Sequence, residues 1–388
     1  MIRFSLSPVL TVWIRRLHVM IVKELLQLSR DVVLLVFIGY AFTVDIYLAG
    51  SGVSLQLNRA AFVVQDSDHS FASRELIHRF RSPYFQLKGE VGDSRESMKR
   101  LDDGRAVMVL EPAPQFEQSL LRGETTSVQL QVDATNSVLG FLASSYAAQI
   151  VGEYGLEAGL AREGLSATDI ANVPRIDSRH RVWFNPNQND AWFMSISEVL
   201  TIITLFAILL PAAAMVREKE RGTVEQLLVS PLTSFQIMFP KVVSMTAVIL
   251  AGTMISLFLI LKPAFHVPFK GDLLLFFSVT TLYVFTTAGL GLFAATIARN
   301  LAQAGMMTIL IIAPMIFLSG AWTPPEAMPA WLRLGMKISP LHYYMDASFG
   351  ILLKGAGLTN IWGSILSMAG LGGIVFGFGL WRFRRQFR

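Results

Sequence analysis

The chain alternates between apolar stretches long enough to cross a bilayer and polar stretches that cannot enter one. Residues 32–49 read as a first span, interrupted only by Asp45 near its far end. Residues 192–216, 242–261, 273–298, 302–318 and 361–381 read as five more. Ahead of them, Leu10, Trp13, Leu17, Met20, Ile21, Leu25 and Leu28 make one apolar helical face, with Arg15, Arg16, Lys23 and Gln27 off it. That pattern predicts an amphipathic helix lying in the interface over 8–29. The competing reading, the start of the first span, would submerge Arg15, Arg16 and Lys23.

Residues 51–190 have another rhythm. Short β-patterned runs (60–65, 84–91, 105–110, 127–132) alternate with helical ones (70–80, 94–101, 114–121, 137–162). Such alternation predicts an α/β domain with a mostly parallel or mixed sheet. Residues 262–272, with Pro263 and Pro268, read as a short loop. Pro324, Pro325, Pro329 and Pro340 break residues 320–357 into short pieces bearing Trp322, Trp331, Tyr343 and Tyr344. Such aromatics favour the headgroup layer, so interfacial helices or a re-entrant hairpin are expected. The predicted fold class is an α-helical polytopic membrane protein with six transmembrane helices. An α/β extracytoplasmic domain is inserted between the first and second. The divisions are an N-terminal segment 1–30, a first helix 31–50, the domain 51–190 and a five-helix region 191–388.

Composition agrees. Of 388 residues, 53% are hydrophobic and 16% charged, against about 25% charged in soluble proteins. The mean hydropathy is +0.49. The absence of cysteine excludes disulfides and thiolate chemistry, and a net charge of +5 gives no argument for nucleic acid. No short apolar core with a small-residue cleavage site opens the chain, so its N-terminus reads as uncleaved. Basic residues orient it. Arg3, Arg15, Arg16, Lys23, Arg30, Arg217, Lys219, Arg221, Lys241, Arg299 and the four C-terminal arginines fall on one side. Only Lys262, Lys270, Arg333, Lys337 and Lys354 occupy short loops on the other. Both termini are therefore expected to be cytoplasmic.

Chemistry is concentrated after the second span. Arg217-Glu218-Lys219-Glu220-Arg221 is an unbroken charged run that must lie at a membrane face. Gly222 and Thr223 follow; Val224, Leu227 and Leu228 then fall at helical spacing, with Glu225 and Gln226 between, before Pro231. The expectation is a short amphipathic helix offering an apolar ridge to a soluble partner. Glu198 and Thr201 are candidates for a transport path, sharing a face with Ser197 and Thr204. The plainer reading is a Glu hydrogen-bonded between helices near the outer interface. Asp45 and Glu198 are too few for a proton relay. His69, His78 and His180 show no metal-ligand spacing and read as lone surface residues. No phosphate-binding G-x-x-x-x-G-K-[ST] loop occurs, so energy must come from a partner or a gradient. Ala369, Gly373 and Gly377 form a small-residue ridge, expected to pack within the chain.

The segment Val216-Arg-Glu-Lys-Glu-Arg-Gly-Thr-Val-Glu-Gln-Leu-Leu-Val-Ser-Pro231 closely resembles the signature of ABC type-2 permeases, the membrane subunits of bacterial ABC exporters. The likeness extends to Asn185-Pro-Asn187, to Leu318-Ser-Gly320 with Met328-Pro-Ala-Trp-Leu332, to Pro340-Leu-His-Tyr-Tyr344, to Leu353-Lys-Gly-Ala-Gly357 and to Arg382-Phe-Arg-Arg385. The resemblance implies that residues 217–231 form a cytoplasmic coupling helix docking in a groove of a separate ABC ATPase subunit. It also implies a second permease subunit, identical or paralogous, and in Gram-negative relatives often a periplasmic membrane-fusion adaptor. ATP and Mg would be bound by the ATPase, with no cofactor or catalytic residue on this chain. Such a subunit exports hydrophobic or amphipathic compounds across the bacterial inner membrane. Two other functions compete: a membrane-anchored receptor or sensor using the external domain, and a membrane enzyme using Glu198 or external carboxylates. The first lacks a cytoplasmic output domain and the second a convergent motif.

Overall fold

The computed structural model describes residues 8–52, 57–162, 164, 183–187, 189–222, 233–320, 325 and 328–386. These fall into two compact units, residues 1–53 with 181–388, and residues 54–180.

The first unit is helical. Helix α1 (Pro8–Ser29) ends before Asp31, whose carboxylate accepts the Leu34 N–H at 3.0 Å and starts α2 (Val32–Tyr40). A π-helical turn (Ala41–Asp45) joins α2 to α3 (Ile46–Gly52) as one apolar helix. Helix α8 (Asp190–Glu220) is capped by Asn189, which is clamped reciprocally to Asn185 through two 3.0 Å hydrogen bonds. The expected third span differs at both ends. Thr233 and Gln236 form a capping box, so α9 (Ser234–Ile255) begins earlier and takes Lys241 into the helix. A π-helical turn (Ser256–Leu261) and α10 (Lys262–Phe265) then extend it into the expected loop. Helices α11 (Leu273–Ile297) and α12 (Leu301–Phe317) follow, capped by Asp272 and Asn300. The proline-broken region forms α13 (Ala330–Met336), α14 (Pro340–Phe349) and a π-helical turn (Gly350–Lys354) before α15 (Leu358–Gln386).

Among the described residues five helices are long and apolar enough to cross a membrane; Leu301–Phe317 is a shorter sixth apolar helix. Helix α8 is the centre of the bundle: 83% of its apolar window is buried, against 22% for Val32–Gly52 and 17% for Leu358–Gly379. Burial without water demands hydrogen-bonded polar groups. The α8–α11 contact supplies one pair, Thr204 with the Tyr283 hydroxyl at 2.9 Å, and Thr280 meets the Tyr344 hydroxyl at 2.9 Å. The two tyrosine rings stack at 4.0 Å, 6° from parallel. Helices α11 and α15 approach at glycine. A Cβ on Gly289 would stand 2.7 Å from the Phe376 Cα, and one on Gly372 would overlap Thr286. The expected ridge is displaced by this geometry. Gly373 and Gly377 are exposed with nothing near them, while Gly372 and Gly379 make the close contact.

The second unit holds β1 (Ala60–Val64), α4 (Phe71–Arg79), β2 (Phe85–Glu90), α5 (Ser94–Asp102), β3 (Met108–Pro112), α6 (Phe116–Arg122), β4 (Val128–Val132) and α7 (Ser137–Arg162). The sheet order is β2-β1-β3-β4, parallel except for antiparallel β4. Strand β1 is buried along almost its whole length, as a central parallel strand must be. Phe62, Phe80 and Phe85 cluster beneath α4 and α7, and Tyr154 of α7 donates its hydroxyl to the Ala72 carbonyl at 3.1 Å.

Candidate functional site

The charged run closing α8 is not uniformly solvent-facing. Glu218 is buried, and its Oε1 lies 2.7 Å from Lys241 Nζ and 2.8 Å from Lys23 Nζ. Lys241, fully buried on α9, also meets Glu24 Oε1 of α1 at 2.6 Å. Two cations and two anions thus neutralise one another where α1, α8 and α9 meet. Burial alone would lower the Lys23 pKa, but the hydrogen bond and charge of Glu218, with Glu24 beside it, hold it above the ordinary lysine value. Arg217 pairs with Asp31 at 2.7 Å, tying the same helix end to the α1–α2 corner. Lys219 turns toward the end of α11 and donates to the Ala295 carbonyl. Within residues 217–222, Glu220, Arg221 and Gly222 are exposed, and Glu220 accepts the Leu301 N–H at 3.1 Å. Thr223, Glu225, Gln226, Leu227 and Leu228 lie outside the described residues.

The sequence alone does not single out Glu24 and Lys241 as members of this cluster. A signal existed for Glu24, which stands between Leu17 and Leu28 on the protein-facing side of α1, where those two are also buried. A carboxylate on that face needs a cation. Lys241 stood just ahead of an apolar run, and only the capping box at Thr233 places it inside a helix.

The other candidates are separate from this cluster. Glu198 and Thr201 are half-buried on α8. The Thr201 hydroxyl bonds back to the Ser197 carbonyl at 2.9 Å. Ser197 and Thr204 are buried.

Several motif residues meet in space. His342 Nδ1 lies 3.2 Å from the Ser319 carbonyl, joining two separated motif segments. Tyr344 of the same motif stacks on Tyr283. Gly355, at φ +70°, supplies the left-handed residue that stops the π-helical turn.

Residues 32–381 match the family described as "ABC-2 family transporter protein". The chain belongs to the ABC-2 transporter family. It is 34% identical over 365 residues to the inner membrane transport permease YhhJ of Escherichia coli K12, covering 94% of this chain and 96% of that one. It is 30% identical over 352 residues to the probable multidrug ABC transporter permease YbhR of the same organism, covering 90% and 93%. To the probable multidrug ABC transporter permease YbhS it is 26% identical over 360 residues. Membership makes the chain a transporter membrane subunit and implies an ABC ATPase partner. The apolar helices make it a multi-pass membrane protein.

Proposed function

We propose that this chain is the permease subunit of an ATP-driven exporter moving hydrophobic or amphipathic compounds, drug-like molecules or lipids, out of the cytoplasm or the inner leaflet. It crosses the bacterial inner membrane six times with both termini cytoplasmic, and the α/β unit is extracytoplasmic. ATP and Mg belong to a separate ATPase that docks on residues 217–231. A second permease subunit completes the path, and an adaptor joins on the far side. Glu198 and Thr201 lie along the path.

One observation carries this reading. Glu220 to Gly222, exposed at the end of α8 and just past it, follow directly on a four-charge joint, buried but for Lys23, that links α1, α8 and α9. A push there moves three helices together, because separating them would strand buried charge. Multidrug permeases among the relatives support the substrate class.

Co-purification tests the docking. The ATPase that stays with the wild-type chain in detergent should be lost with Arg221→Glu, while Lys88→Glu, on an exposed strand of the other unit, should retain it. An ATPase that remains bound to Arg221→Glu refutes the docking assignment.

A further inference from the structure

The α/β unit contains a cavity of about 590 Å³ walled by α4, β2 and the end of β1, within the usual size of a ligand site. Three side chains gather at its rim. The β1–β2 register sets Val64 opposite Glu90, so the last residue of β2 stands beside the loop that follows β1. Asp66 and His69 occupy that loop. Asp66, His69 and Glu90 each offer a ligand atom, and these atoms lie within 4.8 Å of one another. No local spacing announces this set, because strand pairing assembles it.

We propose that Asp66, His69 and Glu90 bind a divalent transition-metal ion of the zinc class. His69 Nδ1 stands 3.6 Å from Glu90 Oε1. That is too long for a hydrogen bond. It is close to the separation of about 3.4 Å expected when two ligands bind one tetrahedral ion at about 2.1 Å. Asp66 is held in place beforehand. Its Oδ1 accepts the N–H groups of Asp68 and His69, both at 3.0 Å, and its Oδ2 accepts the Ser73 hydroxyl at 2.7 Å. Such outer hydrogen bonds orient ligating carboxylates.

The charge balance also fits, since two carboxylates neutralise one divalent ion. Arg74 of α4 is engaged through Nη2 with the His69 carbonyl at 3.0 Å. One imidazole and two carboxylates without sulfur favour Zn²⁺, Mn²⁺ or Ni²⁺ over Cu(I), and the imidazole disfavours Ca²⁺ and Mg²⁺. Three protein ligands leave a coordination position open toward the cavity.

The test is titration of Co²⁺ into the full-length, tag-free, chelator-stripped chain in detergent, followed by visible absorption and by competition with Zn²⁺. One ion per chain is expected. His69→Ala and Glu90→Gln should each weaken binding about tenfold or more. His78→Ala, in the same cavity wall but outside the triad, should leave affinity unchanged. His69 and Glu90 are exposed, so their variants should melt with the wild type when no metal is present. Absence of stoichiometric binding overturns the proposal. So does binding that survives both triad substitutions, or that His78→Ala abolishes equally.

Discussion

Lys241 has no exposed side-chain surface and two carboxylate partners, Glu24 and Glu218, at 2.6 and 2.7 Å. An ammonium taken out of water recovers its hydration only through such contacts. Lys241→Met should therefore cost about 3–5 kcal/mol of stability, because it leaves two buried carboxylates facing the half-exposed Lys23 alone. Glu24→Gln should cost less, since Glu218 still holds Lys241. Combined, the two losses should fall short of their sum, because each substitution removes part of what the other disrupts. Thermal unfolding of the purified chain in detergent measures all three. Strict additivity would show that the joint is not one unit.

At the scale of elements, Asp68 does for α6 what no residue of α6 does. The α6 N-cap, Gln115, sits in the left-handed region without a side-chain cap bond. Asp68, from the loop after β1, instead accepts the Glu117 N–H at 3.0 Å. Slight burial raises the Asp68 pKa, but the Ser70 hydroxyl and the N–H groups of Glu117, Phe116 and Gln115 lower it further, leaving it below the ordinary value. A carboxylate depressed in the folded state stabilises above its unfolded pKa of about 3.9. That contribution is lost as pH falls through the folded value. Asp68→Ala should thus cost about 1 kcal/mol at neutral pH, the scale of a helix cap, and should flatten the acid-side loss of melting temperature. An unchanged slope below about pH 4 would remove Asp68 from that account.

Local signals made these elements legible. Strand and helix alternation within residues 57–162 follows from period-2 and period-3.6 patterns that read the same in isolation as in the fold. Strand β3 was the exception, starting at Met108 because Arg105 and Ala106 turn back onto the Arg100 carbonyl of α5. Contacts between elements were not legible. The α11–α15 seam uses Gly289, Gly372 and Gly379, whereas a four-residue spacing singled out Gly373 and Gly377. Spacing identifies a stripe but not the neighbour it faces. For the same reason the buried charges of Glu24 and Lys241 were hidden, each on a helix whose partner no periodicity names.

For the whole molecule the number of crossings turns on helix α12. Its 17 residues span about 25 Å at 1.5 Å per residue, a little short of the roughly 30 Å hydrocarbon core. A short helix crosses by thinning the bilayer locally, at fractions of a kcal/mol per Å. Over a shortfall of about 5 Å that cost stays at or below the roughly 3 kcal/mol of submerging the exposed Arg299 at its start. The chain lacks cysteine, so single cysteines report sidedness without background. Ser29→Cys, Arg299→Cys, Lys88→Cys and Asn360→Cys all lie at exposed positions. With six crossings and the basic loops inside, an impermeant maleimide added to spheroplasts should label Lys88→Cys and Asn360→Cys at once. Ser29→Cys and Arg299→Cys should react only after permeabilisation. Were Arg299→Cys and Asn360→Cys to label from one side, α12 would not cross. Were Ser29→Cys and Lys88→Cys to do so, the first long helix would not cross, and the α/β unit would share a compartment with the charged end of α8.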